Sequence, residues 1–174
     1  DMAYLYYQLD GGNETWKPVN TDNMQVIETA MFCTILSVDA PLTDDADKEY
    51  LAGVRYAGPL YFDLDDAESP ASTAKHTKKL VDKLLDKDVA PEHLAIFASG
   101  GKGFHVTVPQ EAFMSKPPKT GMTHLPAIYK EIAYSLAVES MDFRVYTARK
   151  GRMFRRANIK RPNNLYKVQI SYDE

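Results

Sequence analysis

A chain of 174 residues, 44% hydrophobic and 26% charged, carries enough apolar material for one domain and excludes a disordered or fibrous tract. Its longest apolar run, around Ala30 to Leu36, is too short to span a bilayer, and its lone cysteine, Cys33, excludes an internal disulfide and fits a reducing, cytoplasmic setting. The net charge of −3 hides a division: nine acidic against two basic residues from Asp39 to Glu68, then nine Lys or Arg and no acid from Phe143 to Tyr172.

In chain order, Ala3 to Leu9 reads as a strand closed by a turn at Gly11-Gly12-Asn13. Met31 to Val38 reads as a second strand, followed by an acidic loop from Asp44 to Glu49. From Pro59 the pattern becomes regular. Leu60 to Leu64 is a short apolar strand ending in carboxylates. Ser69-Pro70 predicts a helix start, because serine caps and proline suits the first turn. Leu80, Val81, Leu84 and Leu85 continue that helix at helical spacing to near Asp88. Leu94 to Ala98 and Phe104 to Val108 are predicted strands around a Gly100-Gly101 turn. Pro126 opens a second helix whose expected apolar face is Ile128, Ile132 and Leu136. Asp142 to Tyr146 reads as extended, and Leu165 to Ile170 alternates like one more strand. From Pro59 to Tyr146 the order is β-α-β-β-α-β, the α+β topology of the RNA-recognition motif. That topology serves many functions, so the chemistry has to come from particular residues.

Three motifs carry chemistry. Asp63-Leu64-Asp65 places two carboxylates on one face of a strand, since residues two apart point the same way. Their mutual repulsion suits a hard divalent cation such as Mg²⁺ or Mn²⁺. Ser99-Gly100-Gly101-Lys102-Gly103-Phe104-His105 is a loop in which glycines bring backbone N–H groups close to an anion and Lys102 adds charge. It is not a Walker loop, because Gly103 stands where that loop has Ser or Thr and the segment joins two strands. Met141-Asp142-Phe143-Arg144-Val145-Tyr146-Thr147 adds a third acid, followed by Arg152 and Arg155. Each motif alone also has an ordinary structural explanation. In the predicted topology the first and third strands are central neighbours, which would gather all three on one face.

Taken together, these segments resemble the archaeo-eukaryotic primase superfamily, and within it the catalytic domain of primase-polymerases of the phage and plasmid kind. The likeness spans about Pro59 to Lys167. It rests on the acid-x-acid strand end, the Ser-x-x-x-Gly-x-His loop and the hydrophobic-Asp segment. The resemblance implies template-dependent nucleotidyl transfer in DNA replication, as primer synthesis or DNA polymerisation, with two Mg²⁺ or Mn²⁺ ions held by Asp63, Asp65 and Asp142. It implies that Ser99, Lys102, His105, Arg152 and Arg155 bind the incoming nucleotide. Arg156, Lys160, Arg161 and Lys167 are expected to meet the nucleic-acid backbone, with Lys160 or Arg161 assisting at the triphosphate. Expected partners are a single-stranded DNA template, nucleoside triphosphates (ribo or deoxy) and a helicase or accessory domain, with no membrane. The resemblance also implies a single catalytic domain over residues 1–174, in which a smaller α/β unit drawn mostly from residues 1–58 packs against the catalytic unit of 59–174.

Two other classes fit parts of the pattern. A phosphatase of the haloacid dehalogenase type also begins with Asp-x-Asp at a strand end, but it wants Thr or Val soon afterwards, where Asp66 stands. A non-catalytic RNA-binding domain would use Tyr61, Phe62 and Phe104 to stack bases. In that case Asp63 and Asp65 would repel the phosphate backbone.

Overall fold

The computed structural model describes residues 4–8, 16–20, 30–42, 45–65, 68–147 and 153–174. The expected turn at Gly11-Gly12-Asn13 lies outside these residues, as does Arg152. In chain order the elements are β1 (Tyr4–Gln8), β2 (Trp16–Asn20), β3 (Phe32–Thr34), β4 (Ser37–Val38), α1 (Lys48–Gly53), β5 (Arg55–Ala57) and β6 (Leu60–Leu64). There follow α2 (Pro70–Leu85), β7 (Ala95–Ala98), β8 (Phe104–Val108), β9 (Met122–Thr123), α3 (Leu125–Ser135), β10 (Met153–Arg155) and β11 (Val168–Ile170). The architecture is α+β. No helix among the described residues is long and apolar enough to cross a membrane.

The strands form two sheets. One has the order β10-β3-β1-β4-β5-β9, with β2 paired to β1; the other has the order β11-β7-β8-β6. Five of the seven strands of the first sheet precede Gly58, while β9 and β10 come from much later in the chain. Met31 to Val38, expected as one strand, is two. The break at Ile35-Leu36 nests against Gly58, where a Cβ would stand 2.9 Å from both Ile35 O and Leu36 Cδ2. With φ at 145°, only glycine holds that position without strain. Where the acidic loop is expected to reach Glu49, α1 begins at Lys48, capped by Asp47, whose Oδ1 accepts from Tyr50 N–H at 2.8 Å.

In the second sheet β6 and β8 are neighbours, with Phe62 opposite Val106 and Asp63 opposite His105. Helix α2 starts as its sequence predicts, with Ser69 Oγ accepting from Ser72 N–H at 3.1 Å and Pro70 as its first residue. It packs across β6 and β8 through Thr73, Thr77, Leu80, Val81 and Leu84. Burial of Leu80, Val81 and Leu84 contributes roughly 1.5–3 kcal/mol for each side chain. The core continues beneath β6 as an aromatic cluster. Tyr61 stacks on Tyr146 at 5.0 Å and meets Tyr129 and Phe154 edge-on.

Two expectations fail here. The fourth strand of the predicted unit shrinks to one antiparallel bridge, Met141 to Leu64, and Phe143–Tyr146 is a 3₁₀ turn. The cause is local: Asp142 Oδ1 accepts from Arg144 N–H at 2.9 Å, a side-chain turn that competes with the ladder. The turn is then held by Tyr146, whose hydroxyl donates to Tyr61 O. In α3 the buried face is Leu125, Tyr129 and Ala133, continued by Leu136, while Ile128 is exposed. Tyr129 sets that rotation, because its ring packs on Tyr61 and its hydroxyl donates to Gly58 O at 2.6 Å.

Candidate active site

Strand β6 ends in the first two acids. Asp63 is opposite His105 in the β8 register, and Asp65 follows directly after the strand. Asp65 N–H donates to Ser140 O and Asp142 N–H donates to Asp63 O, both at 2.9 Å. These bonds flank the Leu64–Met141 bridge, so one short stretch of paired backbone carries all three acids. Ser140 takes the left-handed conformation there, φ 68°, and its hydroxyl is 2.6 Å from His76 Nδ1 on α2. Neither Ser140 nor His76 stands out in the sequence, because the pairing joins residues 64 positions apart.

Asp63 and Asp65 open onto a cleft of about 240 Å³ between the two sheets. Its other walls are the Ser99–Gly103 loop with Lys102, the ring of His105, Phe32 from β3, Met153, Phe154 and Arg155 from β10, and Arg161. The loop closes tightly on the end of β6. A Cβ on Gly103 would stand 2.7 Å from Leu64 O, so glycine lets the loop reach Asp65. Arg161 braces it from behind, Nη1 donating to Ser99 O at 2.7 Å, and Asn163 Nδ2 donates to Gly100 O at 3.0 Å.

One cation of the basic side is buried to an unusual degree. Lys167 is only 5% exposed, its ammonium 4.7 Å from the centre of the Phe97 ring and 5.3 Å from that of Phe154. Burial pushes its proton affinity down to about 8; Asp63 pulls the other way and Arg155 adds to the fall. The Arg155 guanidinium lies over Phe32 at 4.5 Å and is likewise lowered, by burial first and then by Arg161. His105 stacks on Phe154 at 4.0 Å, and burial, followed by Lys167, Arg161 and Arg155, pushes its pKa down to about 3. The imidazole is therefore neutral, with Nε2 3.5 Å from Asp63 Oδ1. Two buried donor or acceptor atoms here have no hydrogen-bond partner, His105 Nδ1 and Arg155 Nη1. Buried polar atoms are nearly always satisfied, so two unpartnered ones on residues that line the cleft mark it as a candidate site for a polar or anionic group.

The expected residues divide as follows. Asp63, Asp65, Ser99, Lys102, His105 and Arg155 share the cleft. Arg161 and Lys167, expected on the nucleic-acid backbone, stand with them, one in the wall and one buried behind it. Arg156 is engaged in packing, with Nη1 donating to Ala30 O at 3.0 Å. Lys160 is exposed on a hairpin, bridged to Tyr166. Tyr61 and Phe62 have no exposed surface, so neither can stack a base as the RNA-binding alternative requires.

Asp142 is turned away from the other two acids' side chains. Both its oxygens accept from Arg144, Oδ1 from Nε and Oδ2 from Nη2, each at 2.9 Å. Among the described residues, no three His, Cys, Asp or Glu side chains are gathered closely enough to hold a metal ion as they stand. The donor set nevertheless suits a hard cation. The Arg144 guanidinium is held above its usual range by the hydrogen bond and charge of Asp142, and also by Asp63 and Asp65. One positive group thus already feels all three carboxylates, and oxygen-only donors are what Mg²⁺ and Mn²⁺ take.

No family model and no curated protein matches the chain. Among solved structures it is similar to the polymerase domain from Mycobacterium tuberculosis ligase D in complex with DNA. The TM-score is 0.48 at 15% sequence identity, covering 98% of this chain and 68% of that chain.

Proposed function

We propose that this protein is a template-dependent nucleotidyltransferase of the primase-polymerase kind, making primers or extending DNA. The observation that carries this is the cleft itself. Asp63 and Asp65, with Asp142 on the same paired stretch of backbone, stand across the cleft from Lys102, Arg155 and Arg161, with Lys167 buried behind them and Arg155 Nη1 without a hydrogen-bond partner among the described residues. A nucleoside triphosphate with divalent cations matches both sides at once. In the reaction a primer 3′-oxygen bonds to the α-phosphorus and the bond to the β-phosphate oxygen breaks, releasing pyrophosphate. Asp63, Asp65 and Asp142 would hold the cations, which when bound supply positive charge to the attacking hydroxyl and to the α-phosphate. Arg155, Arg161, Lys102 and Lys167 neutralise the triphosphate, and Arg152 is assigned with them from the sequence. Ser99 and the Gly103 turn orient it, while neutral His105 holds Asp63 from below and lines the floor. Phe154 and Phe97 exclude water behind these cations, which strengthens each charge contact. Lys160 stands outside the cleft, on the side left for the template strand.

The test is extension of a labelled primer on a single-stranded template with Mg²⁺ or Mn²⁺ and nucleotides. The wild type adds nucleotides. Asp63→Ala with Asp65→Ala falls by more than about a hundredfold with an unchanged fold, since even changes to groups behind the ligands of a metal cost about 10- to 100-fold. Undiminished extension by the double variant contradicts the assignment.

A further inference from the structure

The ion pair between Arg144 and Asp142 has no role in the chemistry above, yet it engages both oxygens of the third acid. Asp142 receives three hydrogen bonds from the one residue, from the backbone N–H, Nε and Nη2, all at 2.9 Å. The two partners differ sharply in setting. The Asp142 side chain is 15% exposed and the Arg144 side chain 82% exposed. No other ion pair of Arg144 holds it among the described residues, and its guanidinium lies in the joint field of Asp142, Asp63 and Asp65.

We propose that Arg144 is an exchangeable counter-ion: it neutralises the acidic cluster when no cation is bound and competes with divalent cations for Asp142. This rests on the assignment of Asp63, Asp65 and Asp142 as cation ligands. Backbone pairing sets three acids on one short stretch, and the Arg144 guanidinium lies in the field of all three, so it supplies positive charge there before any metal arrives. A buried arginine would make that neutralisation permanent and close the site. An arginine almost wholly in water does not, because solvent screening and the entropy of a long side chain leave such a pair weak. The two-residue spacing keeps the guanidinium tethered within reach after release. The backbone half of the turn, Arg144 N–H to Asp142 Oδ1, does not depend on the guanidinium, so the fold around Asp142 outlasts the exchange.

The experiment is Mn²⁺ titration of the full chain without nucleotide, followed by electron paramagnetic resonance of free Mn²⁺, in wild type, Arg144→Ala, Arg144→Lys and Asp63→Ala. Arg144→Ala is expected to bind Mn²⁺ about two- to fivefold more tightly, the size a surface ion pair allows. Arg144→Lys, which keeps the charge but loses the fork, falls between the two. Without metal, Arg144→Ala melts below wild type, and saturating Mn²⁺ closes that gap. Equal or weaker Mn²⁺ binding by Arg144→Ala, with wild-type binding intact and lost in Asp63→Ala, overturns the counter-ion role and leaves the catalytic assignment standing. Absence of Mn²⁺ binding in all of the proteins overturns both.

Discussion

On the acidic side, Asp65 and Arg144 are open to water and Asp63 and Asp142 are half-buried along one paired stretch of backbone. On the other, Lys167 and His105 are buried against Phe97 and Phe154, and Arg155 lies partly buried over Phe32. The acidic side is held by backbone pairing and balanced by a mobile type of partner, a surface arginine. The basic side is held by aromatic packing, and His105 Nδ1 and Arg155 Nη1 there lack a hydrogen-bond partner among the described residues. Exchangeable ligands such as metal ions need the first kind of surface. A site that must bind a polyanion against competition from water needs the second, where desolvated donors are already aimed and reorganise little. On the proposed function, the first wall would exchange cations and the second would recognise the polyanion.

The largest effect that sharpens this contrast is expected at Lys167. Lys167→Met keeps the packing between Phe97 and Phe154 but removes the charge. The nucleotide KM should rise about 10- to 100-fold, the range for losing a charged hydrogen bond, with little loss of stability. In the wild type, nucleotide affinity should weaken as pH rises through about 8, where the free protein's Lys167 loses its proton, and the variant should lack that limb. A pH profile shared by both proteins would remove Lys167 from the site.

His105 makes a second, smaller prediction, on stability. Folding lowers its pKa from 6.5 to about 3, so between those values the unfolded chain binds more protons. Stability contributed by keeping the ring neutral is therefore complete above 6.5 and is lost as pH falls towards 3. His105→Gln should lose less melting temperature than wild type between pH 7 and pH 4.5, a difference read by calorimetry. Identical losses would show that the ring is not held neutral by its surroundings.

The smallest effect concerns the surface outside both walls. Lys160→Ala should lower the salt slope of template binding by about 0.7 to 0.9, the release expected for one phosphate contact, with nucleotide KM unchanged. A raised KM with an unchanged slope would move Lys160 into the cleft and erase the division between wall and rim.

Much of the fold was legible because its signals are local. The Ser69-Pro70 helix start, the β6 strand ending in carboxylates and the β7–β8 hairpin all follow from neighbouring residues. The same holds for Asp63 and Asp65 on one face. What escaped depended on distant partners or on side chains overriding the backbone pattern. Asp142 to Tyr146 alternates like a strand, yet the Asp142 turn and the Tyr146–Tyr61 bond convert it. Ile128 belongs to a plausible apolar stripe, but the ring of Tyr129 rotates α3 away from it. The basic segment reads as one uniform run. The hairpin from Lys160 to Tyr166 then turns Lys167 inward and Arg161 against Ser99, a difference that charge counting does not register. Nor does the sequence reveal that Phe154 of one sheet stacks on His105 of the other and so joins the two sheets.

The central claim is that the two walls act on one ligand, and metal-linked nucleotide binding tests it most directly. A non-hydrolysable nucleoside triphosphate analogue is titrated calorimetrically into wild type and Asp63→Ala, each with Mn²⁺ and with a chelator. The account predicts tight binding by wild type with Mn²⁺, much weaker binding in chelator, and the same weak binding by Asp63→Ala under both conditions. Equal affinity for the analogue in wild type with and without Mn²⁺ would contradict it.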